Sequence, residues 1–516
     1  MESPRPNDRD RVFDAVPPLS STSRVCITSL LVAANTIQFI SNFITFAGGR
    51  ALTQDLGMAG AAGKANWMPA AYPLTQSAFV LITGRLGEIY GHKRMALAGC
   101  LIFGIFSLVN AFCRTFDSFI AARALTGLGG GFFMPNAVSM ITTMIPPGRT
   151  RNLFLGFFAA SPPLGGMIGA LLTGVFLEGV GWMWLFVLVA ASTAFVLGWL
   201  VYITPKEKPV DSNGKLDYVG AFFGVSSLLL FNIVCNQAPS AGWSSAFTIA
   251  CLTVTGLMFG AFLVWETRYA TDPVMPLGVF RAPSFSALVW VVLLSYMSFG
   301  VAQWYAVLWQ QSLRHASVLE TGIRFVPFGL ASLLAVFAAA WLMSRVAAQW
   351  IMAVGVGAAL AASLLLATMP VSQTYWAQVF PAMVLSGFCP DFVYVAAQVI
   401  ASSSVGRRQQ GVASSLIGTL NLYGTSLGLG LAAIVETQVV ERTARTGDDG
   451  EVLGFRAALY FAAAVALIGL LLDVLFVRMP KNEREGWEDE DPAVPDQVEL
   501  PEASTTSASR LGVTRD

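Results

Sequence analysis

The sequence predicts an all-α polytopic membrane protein, and its composition, its recurring apolar runs and the placement of its charges support that fold class. The chain has 516 residues, of which 55% are hydrophobic and 12% are charged, whereas about a quarter of the residues of a typical soluble domain are charged. Apolar runs long enough to cross a hydrocarbon core of about 30 Å recur along nearly the whole chain. Such a chain cannot cover itself with a polar surface, so we expect lipid to surround it.

The apolar runs predict helices in groups of six, two and six. The first group lies near residues 25–47, 66–84, 95–112, 117–143, 152–177 and 182–204. The middle pair lies near 217–236 and 244–265. The last group lies near 284–311, 320–343, 349–369, 375–400, 410–436 and 456–477.

The placement of Lys and Arg predicts the orientation. With the N-terminus in the cytoplasm, 22 basic residues lie in the tails and inner loops and 6 lie in outer loops. Because short cytoplasmic loops are enriched in Lys and Arg, both termini are predicted to be cytoplasmic and the number of spans to be even. Twelve and fourteen spans both satisfy this condition, and the strong runs at 217–236 and 244–265 favour fourteen.

The expected organisation has five parts. A cytoplasmic N-tail (1–24) precedes an N-terminal six-helix bundle (25–204), two extra helices with their linkers (205–282), a C-terminal six-helix bundle (283–478) and a disordered cytoplasmic C-tail (479–516). The formal net charge is zero, so no global basic field indicates nucleic-acid binding. The six cysteines lack metal-ligand spacing, and no metal is expected.

The loop after the second predicted helix carries the most specific motif. It reads Gly-Arg-Leu-Gly-Glu-Ile-Tyr-Gly-His-Lys-Arg over residues 84–94; its glycines permit a tight turn. A lone basic cluster would indicate only a cytoplasmic loop, but this spacing resembles the signature loop of the major facilitator superfamily. The resemblance implies the major facilitator fold, with a conformational latch formed by Gly84, Arg85, Glu88, Gly91, Lys93 and Arg94. Because Glu88 stands where the family usually has Asp, we expect a weaker or differently partnered latch.

Helix four contains Arg123 ahead of a glycine run at 127–131. This resembles the family's second motif, which implies an arginine facing the central cavity. An arginine within a span is costly unless it is paired or hydrated. The alternative is that its side chain extends to the outer headgroups.

Helix five contains Pro162, Pro163, Gly165 and Gly169. Small residues one turn apart let two helix backbones approach closely, and prolines bend a helix. The pattern is similar to the motif associated with exporters in this superfamily, although Pro162 stands where that motif has glycine. Ordinary packing of small residues explains the two glycines almost equally well.

Other short segments resemble the fourteen-spanner drug:proton antiporter branch, particularly its fungal members. They lie at 181–186, 217–220, 236–239, 390–392 and 410–415, and the resemblance covers roughly residues 25–477. It implies a monomeric efflux carrier for drugs, toxins or secondary metabolites. The expected location is the plasma membrane, with the vacuolar membrane as the alternative.

The energy source is expected to be a proton gradient, with no cofactor, because the sequence has no Gly-x-x-x-x-Gly-Lys-Ser/Thr loop for ATP. Proton coupling needs a titratable group inside the bundle, and Asp391 in helix twelve is the best candidate, together with Arg123. The alternative for Asp391 is a structural acid bonded to neighbouring helices.

The predicted substrate cavity is lined by polar and aromatic residues of two helices. Asn35, Gln38 and Asn42 share one face of helix one, where lipid would leave their hydrogen bonds unmatched. Gln303, Trp304 and Tyr305 in helix nine suit partly aromatic solutes, but Trp and Tyr near a helix end are often interfacial anchors.

Three functions other than export are the alternatives. An uptake facilitator for a small polar solute keeps the fold and reverses the direction. A non-transporting nutrient sensor usually has a signalling tail longer than residues 479–516. A membrane-embedded enzyme needs a catalytic constellation, and the two histidines, His92 and His315, lie in loops, so we assign no catalytic residue.

Overall fold

The computed structural model describes residues 20–58, 62–145, 149–205, 207, 209–211, 214–270, 273–282, 284–343, 345–405, 409–443 and 447–478, and within these ranges its regular structure is all helical. Fourteen of the described helices have 17 residues or more, and we number them in chain order. The first seven are α1 (Ser21–Ala47), α2 (Trp67–Tyr90), α3 (His92–Phe112), α4 (Phe116–Met144), α5 (Arg149–Gly179), α6 (Trp182–Ile203) and α7 (Tyr218–Ala241). The others are α8 (Ala246–Arg268), α9 (Phe285–Leu308), α10 (Val326–Leu342), α11 (Ala348–Thr368), α12 (Val379–Ser404), α13 (Gln410–Thr443) and α14 (Asp448–Phe476).

Short helical segments complete the chain. Gly49–Asp55 and Ala62–Ala65 lie between α1 and α2, and a 3-10 helix, Leu277–Arg281, precedes α9. A π-helical turn, Trp309–Leu313, extends α9, and Val318–Arg324 leads directly into α10.

In the part of the chain that the structure describes, twelve helices are long and apolar enough to cross a membrane. The prediction of a multi-pass all-α protein is therefore confirmed. The long helices outside this set are α2 and α4, which contain charged residues such as Arg85 and Arg123. Both pack inside the protein, α2 against α4 and α13, and α4 against α3. A count of fourteen spans stays a prediction.

The helices form two groups with an additional pair. Within α1–α6 the main packing partners are α1 with α5, α2 with α4, and α3 with α4 and α6; within α9–α14 they are α9 with α13 and α14, α10 with α12, and α11 with α12 and α14. Helix α7 packs on α8 and also contacts α2 and α13, which belong to different groups. The pair is therefore attached where the two groups meet.

The two ends of the protein can be named from their loops. The start of α9 meets the end of α14, where Ser284 Oγ accepts a hydrogen bond from the Arg478 backbone N–H at 3.0 Å. We call this end, which also holds Ser20 and Gly91, the termini face. The opposite end, which holds Gly48, Asn66 and the turn at Trp309–Leu313, is the far face.

Local sequence signals fix many helix ends. Ser20, Thr115, Asp217, Ser245 and Ser317 each accept a hydrogen bond from a backbone N–H of the first turn that follows, which is the usual role of an N-cap. Gly91, with φ of 100°, joins α2 to α3 through a conformation that residues with a Cβ rarely adopt.

Several helices near the C-terminus differ in extent from the predicted runs. Helix α13 continues to Thr443 rather than 436, and α14 begins at Asp448 rather than 456. The predicted ends followed the first cluster of polar residues. Helix α13 passes through Glu436, whose carboxylate accepts a hydrogen bond from the Tyr305 hydroxyl of α9, so this acid does not mark the end of the helix.

Candidate functional site

The polar face of α1 lies inside the protein. Asn35, Gln38 and Asn42 are at most 6% exposed. The Asn35 amide Nδ2 donates to Ser161 Oγ of α5 at 2.7 Å, and the Tyr72 hydroxyl of α2 donates to Gln38 Oε1 at 3.4 Å. The face is therefore turned towards α2 and α5; contact with a transported solute stays a prediction.

A glutamine of α2 adds to this polar face. Gln76 is 1% exposed, and neither atom of its amide has a hydrogen-bond partner among the described residues. A Cβ atom on Gly130 of α4 would lie 3.1 Å from both Gln38 Oε1 and Gln76 Nε2. Gln38, Tyr72, Gln76 and Gly130 thus surround one point, and we call these four residues the amide pocket.

Sequence reasoning did not predict Gln76, although an amide in the middle of a predicted span was a usable signal. The convergence of α1, α2 and α4 on Gly130 could not be predicted from the sequence, because it depends on how three helices pack. The glycine run that contains Gly130 was noted only as part of the Arg123 motif.

Arg123 is fully buried in the N-terminal bundle. Its Nη1 donates to Ser41 Oγ at 2.8 Å, and its Nη2 donates to the Ser41 carbonyl at 3.1 Å. The guanidinium lies 5.1 Å from the Tyr72 ring centroid and 5.8 Å from that of Phe186, so two aromatic faces compensate part of its charge. Arg123 joins α4 to α1, α2 and α6.

Asp391 lies in α12, in the C-terminal bundle, and is 8% exposed. Its Oδ2 accepts a hydrogen bond from Ser332 of α10. One residue earlier, the Pro390 carbonyl accepts from the Tyr296 hydroxyl at 2.7 Å. The contacts of Arg123 and Asp391 lie in different bundles, so the structure does not bring these two residues together.

The three candidates of α9 have different surroundings. Gln303 is fully buried, and within the described part of the chain its amide has no hydrogen-bond partner. Trp304 Nε1 donates to Asn66 Oδ1 at 2.5 Å, and Tyr305 donates its hydroxyl proton to Glu436 Oε2 at 2.5 Å. Trp304 thus contacts the N-terminal bundle, while Tyr305 contacts α13.

Glu436 is a half-buried carboxyl that sequence reasoning missed. The predicted helix ended at residue 436, so this acid was placed at a membrane surface. Because α13 continues to Thr443, Glu436 lies inside a helix, against Tyr305 and the turn of α14 that contains Gly454. The signal was weak, because a single acid at the end of an apolar run usually marks the helix boundary.

Residues 84–94, predicted as a loop, are helical except at Gly91, because α2 continues to Tyr90 and α3 begins at His92. This signature loop is bonded to the linker that leads to α7. Arg85 pairs with Glu88 Oε2 at 2.6 Å and with Asp211 Oδ2 at 2.9 Å. The Glu88 carbonyl accepts from the Asp211 backbone N–H at 3.0 Å, and Glu207 accepts from the Lys93 backbone N–H at 2.8 Å. The linker residues were not predicted as partners of this loop.

The rest of the signature loop is less engaged. Arg94 is exposed, and Gly91 forms the turn between α2 and α3. A Cβ on Gly84 would lie 3.7 Å from Ser415 Oγ in α13, so the two bundles are separated here by an ordinary van der Waals distance. A role as a latch between the two halves stays a prediction.

The glycines of α5 lie directly against α1. Cβ atoms on Gly165 and Gly169 would come within 2.6 Å of the carbonyl oxygens of Thr36 and Ile40, respectively. Pro162 and Pro163 lie inside the same helix, one turn towards the termini face. The motif therefore sets the distance between α1 and α5.

The two bundles meet closely towards the far face. Cβ atoms on Gly322 and Gly329 would lie 2.6 Å from the Ala170 carbonyl oxygen and from Met167 Cβ of α5. The rings of Phe43 and Phe328 stack with centroids 6.1 Å apart. These contacts close the far half of the interface between the bundles.

Among the described side chains, no group of three or more His, Cys, Asp and Glu residues could hold a metal ion.

Comparison with known proteins gives a consistent family match. The profile of the Major Facilitator Superfamily matches residues 30–429. The chain is 30% identical over 460 residues to an efflux pump of Aspergillus terreus, covering 88% of this chain and 86% of the relative.

Two yeast relatives carry names that differ in substrate. The chain is 30% identical over 462 residues to the aminotriazole resistance protein of Saccharomyces cerevisiae, covering 87% of this chain and 82% of that one. It is 29% identical over 421 residues to the low affinity ammonium transporter of the same yeast, covering 80% of each chain.

The fold is similar to that of solved transporters. A POT family transporter crystallised with 5-aminolevulinic acid superposes with a TM-score of 0.66 over 90% of this chain and 100% of its own, at 12% sequence identity. At that identity the similarity concerns the fold alone.

Proposed function

The chain belongs to the Major Facilitator Superfamily, and on that premise we propose that it exports small organic solutes in exchange for protons, by alternating access. The observation that carries the proposal is a set of buried polar side chains between closely packed apolar helices, with Gln76 and Gln303 unpaired within the described structure. Buried polar groups are usually hydrogen-bonded, so an unpaired one needs a partner from outside the chain, such as water, an ion or a bound solute. The names of the Aspergillus terreus efflux pump and the aminotriazole resistance protein support export.

We place fourteen spans in the membrane by adding α2 and α4 to the twelve apolar helices. Their 24 and 29 residues correspond to about 36 Å and about 44 Å of helix, enough to cross the bilayer. Both termini then lie in the cytoplasm, so the termini face is the cytoplasmic side. We propose a monomer in the plasma membrane, with the vacuolar membrane as the alternative.

Asp391 is the group that we propose to carry the coupled proton. It is buried inside α12, its hydrogen-bond donor is Ser332, and within the described part of the chain it forms no ion pair. A carboxyl held by a neutral hydroxyl can exist in both protonation states, whereas a carboxyl paired with a cation stays charged. Carboxyls inside spans commonly serve as proton relays for this reason.

Everted membrane vesicles with an imposed pH gradient test the coupling, with radiolabelled aminotriazole as the probe. Asp391→Asn removes the titratable group, so we expect it to abolish gradient-driven accumulation while exchange down the solute gradient persists. Asp473→Asn is the matched control, because Asp473 is a buried acid of α14 away from the interface between the bundles. Accumulation by Asp391→Asn at the parent level would contradict the coupling role. Lower cellular accumulation after deletion of the protein would indicate uptake instead.

A further inference from the structure

We propose that the amide pocket of Gln38, Tyr72, Gln76 and Gly130 binds a small uncharged solute that carries both hydrogen-bond donors and acceptors. The proposal rests on the proposed transport of organic solutes and deepens it by assigning the substrate class. Three observations support it: an unpaired amide, the convergence of three helices on one point, and the position of the nearest charge.

The unpaired amide belongs to Gln76. Both its Nε2 and Oε1 atoms are buried, and neither has a hydrogen-bond partner among the described residues. An amide left without partners in an apolar surrounding is strongly destabilising. The energetic cost is removed when a molecule with one donor and one acceptor binds against the amide, as another amide, an azole or a hydroxylated solute can do.

Gly130 lets three polar groups approach one point. A Cβ atom there would lie 2.5 Å from the Tyr72 hydroxyl oxygen and 3.1 Å from the nearest amide atoms of Gln38 and Gln76. Three polar groups from α1 and α2 therefore lie close to one position of α4 where the side chain is absent. A few polar groups that converge from separate helices in an apolar surrounding are typical of small-molecule sites.

The charge of Arg123 disfavours a cation in this pocket. Its guanidinium lies on the Tyr72 ring, 5.1 Å from the centroid, so a positively charged solute would be repelled at close range in a site of low dielectric constant.

The two terminal nitrogens of the same arginine are already hydrogen-bonded inside the protein. Both terminal nitrogens of Arg123 already donate to Ser41, at 2.8 and 3.1 Å. The groups that border the pocket are two carboxamides and a phenol, none of which supplies a full positive charge. An uncharged solute is the class that matches these groups.

Equilibrium binding to the purified protein tests the proposal, because binding needs no proton gradient. The measurement is the thermal unfolding of the detergent-solubilised full chain with millimolar aminotriazole as the neutral probe, methylammonium as the cation and acetate as the anion. We expect aminotriazole alone to raise the unfolding temperature. Gln76→Ala should weaken its binding about tenfold, the loss that corresponds to one to two hydrogen bonds.

Two further variants complete the test, one that changes the charge of the pocket and one that serves as a control. Gln76→Glu preserves the size of the side chain and adds a negative charge, so aminotriazole binding should fall and methylammonium binding should rise. Gln378→Ala removes an amide that bonds to Thr368 near the far face and should bind aminotriazole as the parent does.

The proposal is overturned if aminotriazole does not stabilise the parent, if either charged probe does so equally well, or if Gln76→Ala retains the parent affinity. Failure of the transport proposal is distinguishable. In that case aminotriazole binds in a Gln76-dependent manner, but vesicles do not accumulate it when a pH gradient is imposed.

Discussion

At the scale of single residues, the absent side chain of Gly169 sets how closely α5 approaches α1. A Cβ at this position would lie 2.6 Å from the Ile40 carbonyl oxygen and 3.0 Å from the Ile40 Cα. Both are backbone atoms of α1, which cannot rotate away as a side chain can. A larger residue must therefore push the two helices apart or distort one of them.

We expect Gly169→Val to lower the free energy of unfolding by about 1–3 kcal/mol, the usual range for overpacking a well-packed interior. Gly156→Val, in the same helix, is the matched control, because a Cβ at Gly156 would have no atom within 4 Å. Thermal unfolding of both variants in detergent, followed by tryptophan fluorescence, measures the difference. Equal unfolding temperatures for the two variants would show that the α1–α5 contact does not depend on the glycine.

The polar residues of the site differ in how far the sequence could predict them. The sequence predicts that one face of helix α1 points into the protein, because three amides on one side of an apolar helix are too costly in lipid. These amides belong to Asn35, Gln38 and Asn42. The contact of the isolated acid Glu436 with Tyr305 could not be predicted, because the two residues are more than a hundred positions apart. Local patterns indicate which face is polar but not which distant side chain meets it.

At the scale of elements, α7 is hydrogen-bonded to both bundles. Towards the N-terminal bundle, its Gln237 Oε1 accepts from Trp67 Nε1 at 3.1 Å. Towards the C-terminal bundle, Asn232 Oδ1 accepts from Ser426 Oγ of α13 at 2.9 Å. Its partner α8 has few buried residues, namely Thr248, Thr255 and Glu266. Hydropathy predicted both helices equally well. It could not predict that α7 covers the line where α2 meets α13, because that depends on which distant side chains Asn232 and Gln237 meet.

Replacing Asn232 tests whether α7 is part of the stable core. Asn232→Leu keeps the side-chain volume similar but removes the acceptor for Ser426 Oγ and for Asn236 Nδ2, which lies at 2.7 Å. Ser426 Oγ keeps the Ala70 carbonyl as an acceptor at 3.1 Å, and Asn236 Nδ2 keeps the Ser426 carbonyl at 3.3 Å. We therefore expect the free energy of unfolding to fall by about 0.5–1.5 kcal/mol, the net contribution of a typical hydrogen bond. Thr253→Val on α8 removes an exposed hydroxyl that bonds within its own helix, so its unfolding temperature should match the parent's. If Asn232→Leu unfolds with the parent too, α7 is only loosely attached.

At the scale of the whole molecule, the structure is closed at the far face. Trp304 and Asn66 join the bundles there by a hydrogen bond of 2.5 Å, and Gln311 donates to the Ala47 carbonyl at 2.7 Å. Towards the termini face, Gly84 and Ser415 approach only to an ordinary contact distance. The two-bundle architecture was predictable from the signature loop, whereas which face is closed depends on side-chain contacts between the bundles.

Obstructing the far-face contact should shift the protein towards the state that is open on that side. A leucine in place of Gly322 cannot fit, because even a Cβ would lie 2.6 Å from the Ala170 carbonyl oxygen. The readout is a cysteine in place of Phe43, which is 8% exposed against Phe328, labelled with a membrane-impermeant maleimide added from the far-face side. We expect Gly322→Leu to raise labelling of this cysteine severalfold. Gly357→Leu, at a site with no atom within 4 Å of the added Cβ, should leave labelling unchanged. Equal labelling in all three backgrounds would mean that the close approach of Gly322 to α5 does not control access to the interior.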